Sequence, residues 1–295
     1  MMKRIDLFKT NVENREQAAQ LKASLVAMMP QALIHIDVED CDKILRLENS
    51  DLDTAVVIRL VENSGFTCKV LPDKMCEEPT NTAADMERFW DMSFNEHQAM
   101  WGFEPTVSAR MAKDYFVKEG VRTVLVPGIG YGRNAQVFSA AGMRVSGIEI
   151  SEQAIAIAEK HYGKELKIYQ GSVTDMPFDQ EVYDAVFCYG LLYLLNPRQR
   201  KKFLKDCFQQ LVPGGTLVFS VLSKYSPNYG KGKKIDVDTF EIGQGAQLFF
   251  YDEEAVRLEF APYGLVYYTE IGEQTNPQSN QAAFKFWLIT CKKPL

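Results

Sequence analysis

The 295-residue chain has six cysteines, Cys41, Cys68, Cys76, Cys188, Cys207 and Cys291, and no two of them are spaced Cys-x-x-Cys. That excludes the usual ligand pairs of zinc sites and redox dithiols, so the cysteines read as reduced, small buried hydrophobes, and no metal is expected. An excess of positive charge is also missing: 33 Lys and Arg stand against 39 Asp and Glu, a formal net charge of −6 with a pI near 5.3. Such a chain has no general basic field to hold nucleic acid or an anionic membrane. The longest apolar run, Ala185 to Leu195, is too short to span a bilayer, and Met1-Met2-Lys3-Arg4-Ile5-Asp6 lacks the apolar stretch of a signal peptide. A cytoplasmic protein that acts on a small molecule is the default expectation.

What is present is an ordinary globular composition, 46% hydrophobic and 24% charged. Residues 1–75 alternate strand and helix signals. Ile5 to Val12 is strand-like, and Ala18, Leu21, Leu25 and Met28 share a helical face that Pro30 terminates. Ala32 to Val38 and Lys43 to Leu47 alternate across the turn Glu39-Asp40-Cys41-Asp42 as a hairpin. Asp53 caps a second helix that ends at Gly65, and Phe66 to Leu71 closes the unit as a strand. The order βαββαβ is that of small α+β ferredoxin-like domains, and the unit resembles heavy-metal-associated domains in length and order. Its first loop, Thr10 to Arg15, lacks their Cys-x-x-Cys and leaves only Cys41 and Cys68 as thiols, so self-association or protein docking is the expected role of residues 1–75. Residues 76–84 read as a linker, and 85–295 as a second domain.

The second domain opens with an aromatic-rich helical stretch, Asp85 to Lys118, broken at Gly102 and Pro105. A strand from Val121 to Val126 then runs into Pro127-Gly128-Ile129-Gly130-Tyr131-Gly132-Arg133-Asn134. Glycines at a strand-to-helix corner let a ligand press against backbone where free amides face it. By itself this pattern fits a tight turn, a dinucleotide site or an adenosylmethionine site. Glu149 ends the next strand, where a carboxylate can accept both hydroxyls of a ribose. A third strand, Leu166 to Ser172, leads to Asp175 and Met176, which are placed to meet an adenine amino group and ring. The fourth, Tyr183 to Gly190, is apolar enough to be covered on both faces. Pro197 to Leu211 reads as an amphipathic helix whose solvated face carries Arg198, Arg200, Lys201, Lys202 and Lys205, and Pro213-Gly214-Gly215 turns into a fifth strand.

Over roughly 120–220 this series resembles class I S-adenosylmethionine-dependent methyltransferases, and Gly132-Arg133-Asn134 with the upstream Trp101-Gly102-Phe103-Glu104-Pro105 looks like the thiopurine and tellurite-resistance branch. The resemblance implies an α/β, Rossmann-like sheet of seven strands with a final antiparallel strand, Leu265 to Ile271 and Ala283 to Lys292 supplying the last pair. It implies S-adenosylmethionine as cofactor, contacted by Gly128, Ile129, Gly130, Gly132, Arg133, Asn134, Glu149, Ile150, Ser172, Asp175, Met176, Cys188 and Tyr189. One departure is Pro127, where most members place an acidic residue. Backbone carbonyls around Gly128 and Cys188 are then left to support the ligand's amino group, while Arg133 either meets its carboxylate or ties the loop down.

Methyl transfer needs in-line positioning in a dry site more than any particular catalytic side chain. No Asn/Asp-Pro-Pro-aromatic motif of amino-group DNA methyltransferases occurs, which favours a small-molecule acceptor, such as a thiol or soft anion if the branch resemblance holds. His97 and Tyr189 are the candidates to take a proton. Trp90, Trp101, Tyr225 and Tyr229 are candidate lid walls, with Lys224 to Lys234 as a mobile surface loop, although the tryptophans serve equally as core residues that tie the leading helix to the sheet. Two alternatives stay open: a degenerate adenosylmethionine-binding module without turnover, and an NAD-dependent oxidoreductase.

Overall fold

The computed structural model describes residues 5–30, 32–38, 43–48, 53–71, 83–163, 166–242, 245–274 and 282–295. The chain divides into two compact units, Met1–Thr80 and Asn81–Leu295. In the first, strands β1 (Ile5–Thr10), β2 (Leu33–Asp37), β3 (Ile44–Glu48) and β4 (Cys68–Val70) form an antiparallel sheet in the order β2-β3-β1-β4, with helices α1 (Arg15–Met28) and α2 (Thr54–Asn63). This is the split βαβ arrangement. Asn14 and Asp53 cap the two helices by accepting from the amides of Gln17 and Ala55. Phe8, Leu21, Leu25, Leu45, Leu47, Val57 and Val61 make the core. Met28 does not join it. The chain leaves helical geometry at Met29, which turns inward instead, while Met28 is 62% exposed. Burial pushes the Cys68 thiol up to about 12, and Cys41 lies outside the described residues.

Most of the expected linker, 76–82, also lies outside the described residues, but Ala83 already begins a helix. The second unit runs α3 (Ala83–His97), α4 (Val107–Lys118), β5 (Thr123–Pro127), α5 (Gln136–Ala140), β6 (Arg144–Glu149), α6 (Glu152–Tyr162), β7 (Lys167–Gln170), β8 (Tyr183–Tyr189), α7 (Pro197–Gln209) and β9 (Leu211–Leu222). After these come β10 (Lys233–Asp236), β11 (Thr239–Ile242), β12 (Ala246–Phe249), α8 (Glu253–Phe260), β13 (Leu265–Glu273) and β14 (Phe284–Lys292). The leading helical stretch breaks earlier than the glycine and proline signals indicate, because Gln98 takes a left-handed conformation (φ 50°) directly after α3.

Seven strands form one sheet in the order β13-β14-β9-β8-β5-β6-β7. The five from β9 to β7 are parallel, and β14 is antiparallel to both of its neighbours, β9 and β13. Alternate side chains on each strand serve opposite faces. Val124 and Val126 pack with α4 and α5, whereas Leu125 packs with α7 and α8. The strand order reverses between β5 and β8, so a crevice opens at the carboxyl ends of these strands, which is where open α/β sheets bind ligands.

Two expectations are corrected here. Arg200 is not on a solvated face. It is 8% exposed, its Nε donates to Glu259 at 3.1 Å and its guanidinium lies 4.1 Å from the Phe249 ring centroid, so it joins α7 to α8 and β12. Lys224–Lys234 is no free loop either. Lys224 Nζ sits 2.6 Å from both Asp238 and Asp252, Tyr229 donates to Asp238 at 2.8 Å, and residues from Lys233 onward belong to a three-stranded sheet, β10-β11-β12, that the sequence pattern did not reveal.

At the carboxyl end of β13, Glu273 is buried and accepts from the Val107 amide (3.0 Å), the Ser108 amide (2.7 Å) and the Ser108 hydroxyl. It therefore satisfies two orphan donors at the start of α4. Glu273→Ala strands those amides in the interior and is expected to lower the free energy of unfolding by about 3 kcal/mol in a denaturant titration. Glu273→Gln, which keeps one acceptor oxygen, should cost less.

Candidate functional site

Between β5 and α5 the backbone turns through Gly128, Gly130 and Gly132, all with positive φ (66°, 58° and 82°). A Cβ on Gly128 or Gly132 would meet Leu191, or Leu166 and Tyr162, at 3.0–3.2 Å. On Gly130 it would meet nothing within 4 Å, because this glycine faces an open space. Ile129 anchors the turn from below. Its side chain fills the place of a Cβ on Gly147, which lets loop and strand approach closely.

Glu149, at the tip of β6, is 6% exposed. Its Oε2 accepts from the Gly130 amide at 2.8 Å and its Oε1 from the Ser151 amide at 2.9 Å. The carboxylate has further lone pairs, so two hydroxyls can still reach it. Burial raises its pKa above the ordinary carboxylate value, against the opposing effect of the Ser151, Gly130 and Ile150 amides, and the nearby Asp91 charge adds to the rise. Arg133 is likewise buried, at 9% exposure. It donates to the Trp101 carbonyl at 2.8 Å and lies 6.0 Å from the Tyr189 ring centroid, with no carboxylate in ion-pair range among the described residues. A buried guanidinium without a counter-ion can accept an anionic ligand group. These features fit S-adenosylmethionine: an open face at Gly130 for the ligand backbone, Glu149 for ribose hydroxyls and Arg133 for a carboxylate.

The remaining residues sort by where their side chains go. Asn134 faces away, its Oδ1 accepting from the amide and hydroxyl of Thr106 at the start of α4. Ser172 caps the short turn Val173–Asp175 through the Thr174 amide, and Asp175 is exposed at that turn's end. Met176 and Cys188 are buried in one core cluster with residues of α7, Met176 at 4% exposure. Tyr189 ends β8, half-buried against Phe286. Desolvation, reinforced by the Glu273 charge, raises its pKa, so it stays a neutral phenol that donates rather than a base.

His97 does not serve as a base in an enclosed site. Its side chain is 56% exposed in the last turn of α3, with Nδ1 3.3 Å from the Ser93 carbonyl of the same helix. Trp90 and Trp101 belong to an aromatic cluster with Phe94, Phe103 and Tyr131, so they tie α3 and the following turn to the glycine loop. Tyr225 and Tyr229 lie apart from them, Tyr225 64% exposed and Tyr229 edge-on to Phe240 and Phe250.

A cavity of about 190 Å³ lies instead between α3 and the inserted sheet, lined by Asp85, Met86, Phe89, Trp90, Leu194, Gly245, Ala246 and Gln247. Of these, sequence reading singled out only Trp90. It also missed Asp91, Ser151 and Glu273. The Ser151-Glu152-Gln153 run at the head of α6 is a helix-start signal that could have exposed Ser151.

Comparison with known proteins bears on the fold and the cofactor. Residues 125–219 match the methyltransferase domain family. Over 244 residues the chain is 25% identical to the tRNA N(3)-methylcytidine methyltransferase Mettl2 of Drosophila melanogaster, covering 74% of this chain and 75% of that protein. It is 31% identical over 121 residues to thiocyanate methyltransferase 1 of Arabidopsis thaliana, covering 40% of this chain and 53%, about half, of that protein. The 1,6-didemethyltoxoflavin-N1-methyltransferase of Burkholderia thailandensis, solved with its substrate and S-adenosylhomocysteine bound, superposes with a TM-score of 0.58 at 20% identity, over 77% of this chain and 96% of that one. The second unit is an S-adenosylmethionine-dependent methyltransferase domain. The nicotinamide alternative falls, because β14 and β13 occupy the place of a second parallel mononucleotide half.

Gly130→Val puts branched carbons into the open face and forces a β-branched residue to positive φ. Glu149→Gln removes a charged acceptor. Each is expected to weaken S-adenosylhomocysteine binding by about tenfold or more in calorimetry. Ribose hydroxyls prefer the ionised carboxylate, so wild-type affinity should fall as pH drops through the raised Glu149 pKa, earlier than an ordinary glutamate would dictate, and Glu149→Gln should flatten that dependence.

Proposed function

We propose that this domain transfers the methyl group of S-adenosylmethionine to a small-molecule acceptor seated in the cavity between α3 and the inserted sheet. The observation that carries this reading is the cavity itself: a recess of about 190 Å³ walled by Phe89, Trp90, Met86 and Leu194, with the Gln247 amide and Asp85 as its polar groups. Ring faces and aliphatic carbons around a few polar groups suit a compact organic ligand, whereas a polynucleotide needs exposed basic surface and the chain carries a net charge of −6. Among the relatives, the thiocyanate methyltransferase supports a small acceptor, and the tRNA methyltransferase supports the competing reading of a nucleic-acid acceptor.

When bound, the cofactor supplies a methyl group already activated on a sulfonium. The protein's own residues align the acceptor and keep water away. Glu149 and the Gly130 corner fix the cofactor's ribose end, and Arg133 holds its carboxylate. The aromatic cluster of Trp90, Phe94, Trp101 and Tyr131 closes α3 over the glycine loop. Tyr189, at the end of β8 beside Arg133, stays protonated. With His97 in solvent and Tyr189 neutral, neither takes a proton from the acceptor, which favours acceptors that are nucleophilic as they arrive.

The test is label transfer from S-[methyl-³H]adenosylmethionine into a cell extract separated into low-molecular-weight metabolites and total tRNA. Label is expected in the metabolite fraction; label in tRNA overturns the small-molecule reading. Cofactor binding with label in neither fraction marks a binding module without turnover. Trp90→Ala should lower transfer at least tenfold while changing S-adenosylhomocysteine affinity less than threefold, and His97→Ala should leave transfer within about twofold.

A further inference from the structure

Two neighbouring residues of α3 look in different directions. Trp90 lines the cavity, together with Phe89 one residue before it. Asp91 reaches the start of α6, where its Oδ1 accepts from the Ser151 hydroxyl at 2.6 Å and the Gln153 amide at 3.2 Å. Ser151 is itself joined to the cofactor site, because its amide donates to Glu149 Oε1 at 2.9 Å while Glu149 Oε2 accepts from Gly130 at 2.8 Å. A continuous hydrogen-bonded path therefore runs from the glycine loop, through Glu149 and Ser151, to the helix that forms the cavity wall.

We propose that Asp91 is a positioning residue that couples the two sites: through Ser151 it holds α3 against the strand end that grips the ribose, so that occupation of the cofactor site firms the wall of the acceptor cavity. The inference rests on the cofactor placement described above. Asp91 gains from the amide-rich start of α6 but lies close enough to Glu149 for their like charges to oppose each other. Two ribose hydroxyls donating to Glu149 spread its charge and weaken that opposition, which tightens the Asp91 tether when the cofactor arrives. The packing of Phe94 on Tyr131 provides a second link between α3 and the loop, one that carries no charge and so does not respond to the ligand's hydroxyls. By linkage, an acceptor that firms α3 raises cofactor affinity by the same factor.

Amide hydrogen exchange on the full chain, with and without saturating S-adenosylhomocysteine, reads this directly, with calorimetry measuring the affinity. In the wild type, ligand should slow exchange at least threefold both in 128–134 and in 83–97. In Asp91→Ala the affinity should stay within about threefold and the protection of 128–134 should persist, while the ligand-induced protection of 83–97 is lost. Ser151→Ala cuts the same bond from the other side and should behave alike, whereas Asp91→Asn, which keeps an acceptor oxygen for Ser151 but has no charge to oppose Glu149, should leave 83–97 tethered with little further slowing when ligand binds. If Asp91→Ala is unfolded in a thermal melt, Ser151→Ala carries the test. Full protection of 83–97 in the alanine variants, or none in the wild type despite protected 128–134, overturns the coupling. Absence of ligand binding and of protection at 128–134 overturns the cofactor placement, and the coupling with it.

Discussion

The second unit depends on one buried carboxylate. Glu149 is taken out of water at the tip of β6 and is held there by the amides of Gly130 and Ser151. A charge so placed costs free energy, and its raised pKa shows that the amides offset only part of that cost. What the arrangement secures is geometry. One oxygen sets the height of the glycine corner and the other sets the start of α6, so three successive elements are locked around a group with lone pairs to spare. Replacing Glu149 with an apolar residue would relieve the desolvation but leave the Gly130 and Ser151 amides without acceptors.

The same solution recurs further along the carboxyl edge of the sheet. Glu273 collects the orphan amides of α4, and Asp91 collects a hydroxyl and an amide at α6. Each is an acid from one element placed at the start of a helix from another, where the helix dipole favours it. Arg133 is the opposite case. It is buried close to a phenol and a carbonyl, with no carboxylate within ion-pair distance among the described residues.

The cavity beside α3 is built differently, from inserted rather than edge-of-sheet structure. Lys224 ties the segment after β9 to Asp238 and Asp252, and Arg200 braces the end of β12 with its guanidinium over Phe249. These charged clamps fix the three-stranded sheet whose first β12 residues face α3 across the cavity. The cavity wall is therefore set by ion pairs distant from it, and its apolar lining does not have to carry the stability of the insertion.

Local features were legible along the chain: the strand-to-helix corner with its three glycines, the acid that ends β6, the order of the strands through β9, the cap at Asp53 and the helix stop at Gly65. These depend on backbone conformation and on periodicities of two and 3.6 residues, which short windows of sequence carry. Which polar residues are buried was set by contacts made across the fold. Arg200 lies in a run of basic residues, but its partner Glu259 is 59 residues away, and Glu273 meets Ser108 across 165. The same distance effect gathered Trp90 and Trp101 into one aromatic cluster with Tyr131, turned His97 to solvent and brought Gln247 opposite Phe89. A side chain's neighbours across the fold fix its environment, and no periodicity along the chain encodes them.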